Sequence, residues 1–129
     1  MIAMNTPEFL RNKRIALFDL AAYEPLLESC GAIPLDGNSS RSTDYSAILA
    51  DLEAAAGIIH VQSRLQADKL LGLRKYVVIA RGSGSFPDGL LEGYDRLIQS
   101  GVGVVDNNLG SRFWDKLFSA LAVAISAQR

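Results

Sequence analysis

Five short apolar runs recur along the chain, and each is followed by residues with helical spacing of apolar positions. They are Arg14–Asp19, Ala32–Leu35, Ile58–Val61, Tyr76–Ala80 and Val102–Val105. Most are continuously apolar rather than alternating, the pattern of strands covered on both faces. Strand–helix alternation of this kind predicts a parallel sheet with helices packed on both sides. The expected fold class is therefore α/β: three layers, αβα, around a five-stranded parallel sheet. Strand order cannot be read from the residues, but the flavodoxin-like order 2-1-3-4-5 fits a chain of 129 residues.

Between the strands, the helices announce their ends. Tyr23, Leu26, Leu27 and Cys30 fall at helical spacing over Ala21–Cys30, with Pro25 in the first turn and Gly31 at the stop. Pro34 places the second strand at a sheet edge, where its missing N–H is not needed. Asp44 can cap a helix carrying Tyr45, Ile48, Leu49 and Leu52, with Gly57 after its Ala-rich end. Gln66–Leu73 reads as a short third helix. Pro87-Asp88 opens a fourth, carrying Leu90, Leu91, Tyr94, Leu97 and Ile98 to a stop at Gly101. Ser111 can cap a fifth. Residues 1–13 read as an N-terminal extension that frays or forms a short helix near Pro7–Leu10, and residues 14–129 as one α/β domain.

Charge and cysteine content narrow the function. A formal net charge of -1 gives no electrostatic case for nucleic acid. Cys30 is the single cysteine, so no internal disulfide can form and a reducing, cytoplasmic setting is the default. The longest nearly apolar stretch, Leu117–Ile125, falls well short of the ~20 residues of a membrane helix. A soluble, cytoplasmic protein is expected, without a membrane partner.

In folds of this class ligands bind at the carboxyl ends of the strands. Those ends offer Asp19; Gln62, Ser63 and Arg64; Arg81, Gly82, Ser83, Gly84 and Ser85; and Asp106, Asn107 and Asn108. Guanidinium groups, hydroxyls and loop N–H groups suit a small anion, such as a carboxylate or phosphate. The ligand-binding candidates are Ser63, Arg64, Arg81, Gly82, Ser83, Gly84, Ser85 and Asn107. The Gly/Ser loop is equally what a strand-to-helix turn needs without any ligand. It lacks the Gly-Lys-Ser/Thr ending of a P-loop and the third glycine of a dinucleotide fingerprint. His60 is the only histidine, and inside an apolar strand it reads as a core residue. No metal set, catalytic group or cofactor is expected. Ser63 and His60 lie at odd spacing, so on a strand they face opposite ways and form no dyad.

The last helix carries Trp114, Leu117, Phe118, Leu121 and Ile125 on one stripe, widened by Phe113, Ala120, Val123 and Ala124. A helix this apolar is buried, or meets a partner with one side. Phe113, Trp114, Leu117, Phe118 and Leu121 are the expected contacts of a homodimer or partner protein.

The second half resembles the substrate-binding domain of D-2-hydroxyacid dehydrogenases. The matching segments are Ala56–Arg64, Tyr76–Arg81 with the Gly/Ser loop, and Gln99–Asn107, in the family's order, with Ser111–Gln128 in the place of the helix leading out of that domain. The loop here reads Arg-Gly-Ser-Gly-Ser, its glycines one place off the family's pattern. The nucleotide domain, with its glycine fingerprint and catalytic Arg, Glu and His, has no counterpart in these residues. The resemblance therefore implies binding of a hydroxy- or keto-acid-like anion without catalysis by this chain alone, or a piece of a larger enzyme. A second resemblance, to response-regulator receiver domains, rests on βα alternation and on Asp19. The phosphoacceptor position would hold Gln62 or Ser63, and the lysine position Asn107 or Asn108. That alternative implies a receiver-like module unable to take phosphate and acting through protein contacts.

Overall fold

A computed structural model describes residues 8–82 and 84–127. The strands are β1 (Arg14–Phe18), β2 (Ile33–Asp36), β3 (Ala56–His60), β4 (Tyr76–Ala80) and β5 (Gly103–Asp106). The helices are α1 (Glu24–Ser29), α2 (Tyr45–Leu52), α3 (Arg64–Asp68), α4 (Leu90–Gln99) and α5 (Phe113–Ser126). All strand pairs are parallel, in the order β2-β1-β3-β4-β5. This is the three-layer, flavodoxin-like arrangement expected from the alternation of apolar runs and helices.

Side-chain alternation along the strands divides the core in two. On one face Ile15, Leu17, Ile58, Val77, Ile79 and Val105 meet Leu27 of α1 and Phe113, Leu117, Leu121 and Ala124 of α5. On the other, Ala16, Phe18, Ile59, Val61, Val78 and Ala80 meet side chains of α2, α3 and α4. Each fully buried Leu or Ile contributes about 1.5–3 kcal/mol of apolar transfer, which is why β4, buried at every position, anchors the sheet. β2 is exposed at both ends, as its edge position and Pro34 predicted. Leu10, fully buried in the α1/α5 face, ties residues 8–13 to the domain. Pro7 lies outside the described residues.

Several local expectations are corrected. Gly57 lies inside β3 and does not end α2. That helix closes on Glu53, a left-handed residue at φ 55°. Its last carbonyls are capped from a distance. Arg14 Nη2 donates to Leu52 O at 2.9 Å, and Nε donates to Glu53 O at 3.0 Å. A cation at a helix C-terminus also answers the helix dipole. Ser111 caps nothing: it sits in a 3-10 turn, Gly110–Arg112, that runs into α5 without an extended cap residue. α4 starts at Leu90, after Gly89 at φ 81°, rather than at Pro87-Asp88. α3 starts at Arg64, not Gln66.

Among the described residues no helix is long and apolar enough to cross a membrane.

Candidate functional site

The sheet order places the topological switch between β1 and β3. From there the chain leaves β1 for α1 on one face, and β3 for α3 on the other. The carboxyl ends of β1, β3 and β4 therefore diverge around a common edge.

Between β3 and β4 the edge is opened by a tyrosine. Val61 N–H donates to Ile79 C=O at 3.2 Å, the last ladder bond of the pair. In a parallel ladder the next bond would run from Arg81 N–H to Val61 C=O. Instead the buried Tyr94 hydroxyl, reaching in from α4, donates to Val61 C=O at 2.7 Å and accepts from Arg81 N–H at 3.1 Å. One hydroxyl thus satisfies both backbone groups and holds the strand ends apart. Burial pushes the Tyr94 phenol pKa up, which keeps it a donor, although the Arg81 N–H bond and the Arg81 charge pull the other way.

Arg81 leaves the sheet at this opening. Its guanidinium carbon stands 5.9 Å from the Phe86 ring centroid, a cation–π distance. The ion pairs among the described residues are Arg11–Glu8, Arg64–Asp68 and Arg64–Glu92, so Arg81 has no carboxylate partner there. Next to it, Nε2 of His60 is buried without a hydrogen-bond partner among the described residues. Burial holds the His60 imidazole below its ordinary pKa of 6.5, and the nearby Arg81 charge lowers it further.

That shift fixes a pH dependence. The unfolded chain protonates His60 near pH 6.5, whereas the folded chain resists protonation until lower pH. Its contribution to stability is therefore intact above about pH 6.5 and is lost as pH falls toward the folded-state value. Urea midpoints at about pH 7.5 and about pH 5.5 should differ more for the wild type than for His60→Gln. An equal difference in both proteins would assign the pH effect elsewhere.

The sequence-predicted residues separate into two groups. Arg81, Gly82 and Asn107 come together. Gly82 packs so closely on the loop after β5 that a Cβ there would stand 2.5 Å from Asn108 Cβ and 2.8 Å from its backbone N. Asn107 N–H donates to Ala80 C=O at 3.0 Å, continuing the ladder past β5. Gly84 takes φ 93°, and Ser85 is exposed. Ser83 lies outside the described residues.

Ser63 and Arg64 are otherwise engaged. Ser63 caps α3, its hydroxyl accepting from Gln66 N–H at 3.1 Å, while Gln66 Oε1 accepts from Gln62 N–H at 2.9 Å. This is close to a capping box, and the Ser63-x-x-Gln66 spacing was its signal. Arg64 binds Asp68 and Glu92, each at 3.0 Å, and so clasps α3 to α4.

The β1 side of the edge is acidic. Asp19, Glu24 and Asp36 line a hollow of about 280 Å³, where Asp19 Oδ1 accepts from Asn38 Nδ2 at 2.9 Å. An anion is repelled there and attracted at Arg81. His60, which the apolar context of β3 marked as core, and Tyr94, which helical spacing marked as packing, are the residues of the candidate site that sequence reasoning missed.

Comparison of the chain with protein-family models, with curated proteins and with solved structures found no match.

Proposed function

We propose that the chain is a small-molecule-binding domain whose ligand carries an anionic group of the hydroxy- or keto-acid kind. The group sits where β3 and β4 part, and the chain does no chemistry on it alone. One observation carries this reading: at strand ends held open by Tyr94, an arginine stands beside a buried histidine nitrogen, the first without a carboxylate partner and the second without a hydrogen-bond partner among the described residues. Arg81 supplies charge and a bidentate fork. His60 supplies one further hydrogen bond from Nε2 in the tautomer that carries its proton there. The N–H groups of Gly82 and Gly84 and the side-chain amide of Asn107, whose own N–H is taken by Ala80 C=O, are the further donors of this reading. In this role the domain resembles the substrate domain of a D-2-hydroxyacid dehydrogenase.

A panel of small hydroxy acids, keto acids and inorganic phosphate, followed by amide NMR, tests it. Shifts should localise to Gly82, Gly84, Ser85 and Asn107, with the His60 imidazole moving in step. Arg81→Ala should weaken binding roughly tenfold to a hundredfold, the equivalent of about 1.5–3 kcal/mol for hydrogen bonds to a charged group. No localised response to any member of the panel would remove the proposal.

A second reading, the receiver-like module acting by protein contact, draws on α5. Phe113, Leu117 and Leu121 are buried in the chain's own core. Trp114 and Phe118 remain partly exposed, their ring centroids 6.4 Å apart, with Tyr23 5.2 Å from Trp114. On this reading the wild type is a dimer by light scattering and Trp114→Ala is a monomer. A monomeric wild type would leave the aromatic patch without that role.

A further inference from the structure

A larger cleft, about 740 Å³, opens at the opposite edge of the sheet. It runs between α2 and the connection from α3 to β4, with Ala54 just before β3 and Ala127 just after α5 on its walls. Its volume falls within the range of pockets that hold small organic molecules.

The chemistry of its walls is one-sided. Tyr45, Leu49, Leu73 and Tyr76 give it aromatic and aliphatic surface. Tyr45 and Tyr76 meet edge to face, with centroids 5.8 Å apart. The Tyr76 hydroxyl is already committed to Tyr45 C=O at 2.8 Å, so it is no polar handle for a ligand. Arg74 and Lys75 also line the cleft, and neither is in an ion pair among the described residues. Among the described residues no carboxylate lines it. Asp44, at the start of α2, is bound by the Ser46 N–H at 2.9 Å and hydroxyl at 2.8 Å. Two cations with no ion-pair partner among the described residues, next to an apolar hollow, favour a ligand that is greasy at one end and negative at the other.

We propose that this cleft is a second binding site, for an aromatic carboxylate. Its ring lies against Tyr45, Leu49 and Leu73, and its carboxylate is held by Arg74 and Lys75. The site shares no residue with the one at the carboxyl edge, so the two stand or fall separately.

2-Naphthoate is a suitable probe, with 2-naphthalenemethanol as its uncharged counterpart. On the full chain, naphthoate should shift the amides of Ser46, Ala50, Ala54 and Gly72. The alcohol should bind at least about tenfold more weakly, because it forms no charge-assisted hydrogen bonds. The double variant Arg74→Ala/Lys75→Ala should weaken naphthoate by a similar factor and leave the alcohol unchanged. Ala50→Trp, which fills the cleft from an exposed position on α2, should abolish both, whereas Arg81→Ala should alter neither. Shifts at Gly82, Gly84 or Asn108 instead, equal affinity for acid and alcohol, or binding that survives Ala50→Trp would each overturn the assignment.

Discussion

Replacing Tyr94 with phenylalanine is expected to destabilise the domain by about 2–4 kcal/mol while leaving its apolar packing intact. The ring is buried among Val61, Val78 and Leu97 in the α2–α4 face of the core, and phenylalanine keeps it. What disappears is the hydroxyl that serves Val61 C=O at 2.7 Å and Arg81 N–H at 3.1 Å. Each buried backbone group left without a partner costs about 1–3 kcal/mol, so the loss counts twice for one atom removed. Urea unfolding should show a lower midpoint with an unchanged slope, since the surface exposed on unfolding hardly differs. If the proposed anion site is real, binding at Arg81 should weaken with it, because the strand ends are no longer held in place. A variant as stable as the wild type would mean that β3 and β4 simply zip together by the missing ladder bond. In that case the opening is no built feature of the edge.

Gly57→Val is the second change expected to hurt, by about 3 kcal/mol or more. Gly57 gives Tyr76 room to lie across the sheet. A Cβ at position 57 would stand 2.8 Å from Tyr76 Cε1, 3.0 Å from its Cδ1 and 3.2 Å from Leu49 Cδ2. The ring cannot retreat. Its hydroxyl is tied to Tyr45, and its faces and edges meet Phe18 and Tyr45, each with centroids 5.8 Å away. Valine's two further methyl groups compound the clash. Combining Gly57→Val with Tyr76→Leu should recover part of the loss, a coupling that independent sites would not show. Additive losses in the double variant would place the strain elsewhere than between these two residues.

The architecture was legible because burial on both faces leaves a plain trace: Val77-Val78-Ile79 cannot be mistaken for an alternating strand. Pro34 likewise placed β2 at the edge by its missing donor. The errors fell where a residue's partner is distant in sequence. Gly57 looked like a helix stop because glycine usually ends helices, but its need is set by a ring from β4. The true cap of α2 is Arg14, from the first strand, and no local pattern announces that. At the edge of the sheet, Arg81 and Gly82 were identifiable from a strand emptying into a glycine loop. Arg64 has the same chemistry as Arg81, and only the fold reveals that Asp68 and Glu92 already neutralise it. His60 and Tyr94 were hidden for the opposite reason, since apolar neighbours mark a polar side chain as filling. Ser63-x-x-Gln66 was a readable capping signal that the stronger expectation of a ligand loop obscured.

β4 begins at Tyr76, in the wall of the large cleft, and runs to Ala80, one residue before Arg81. Five steps of extended chain separate the two ends by roughly 16 Å, at about 3.3 Å per residue. That is about twice the Debye length of physiological salt, so a charge captured at one end is largely screened from the other through solvent. The strand between them is buried at every position and packed on both faces, which leaves it little freedom to bend or slide. Two ligands bound at its ends would behave as strangers: simultaneous occupancy, additive gains in melting temperature, and neither altering the other's affinity.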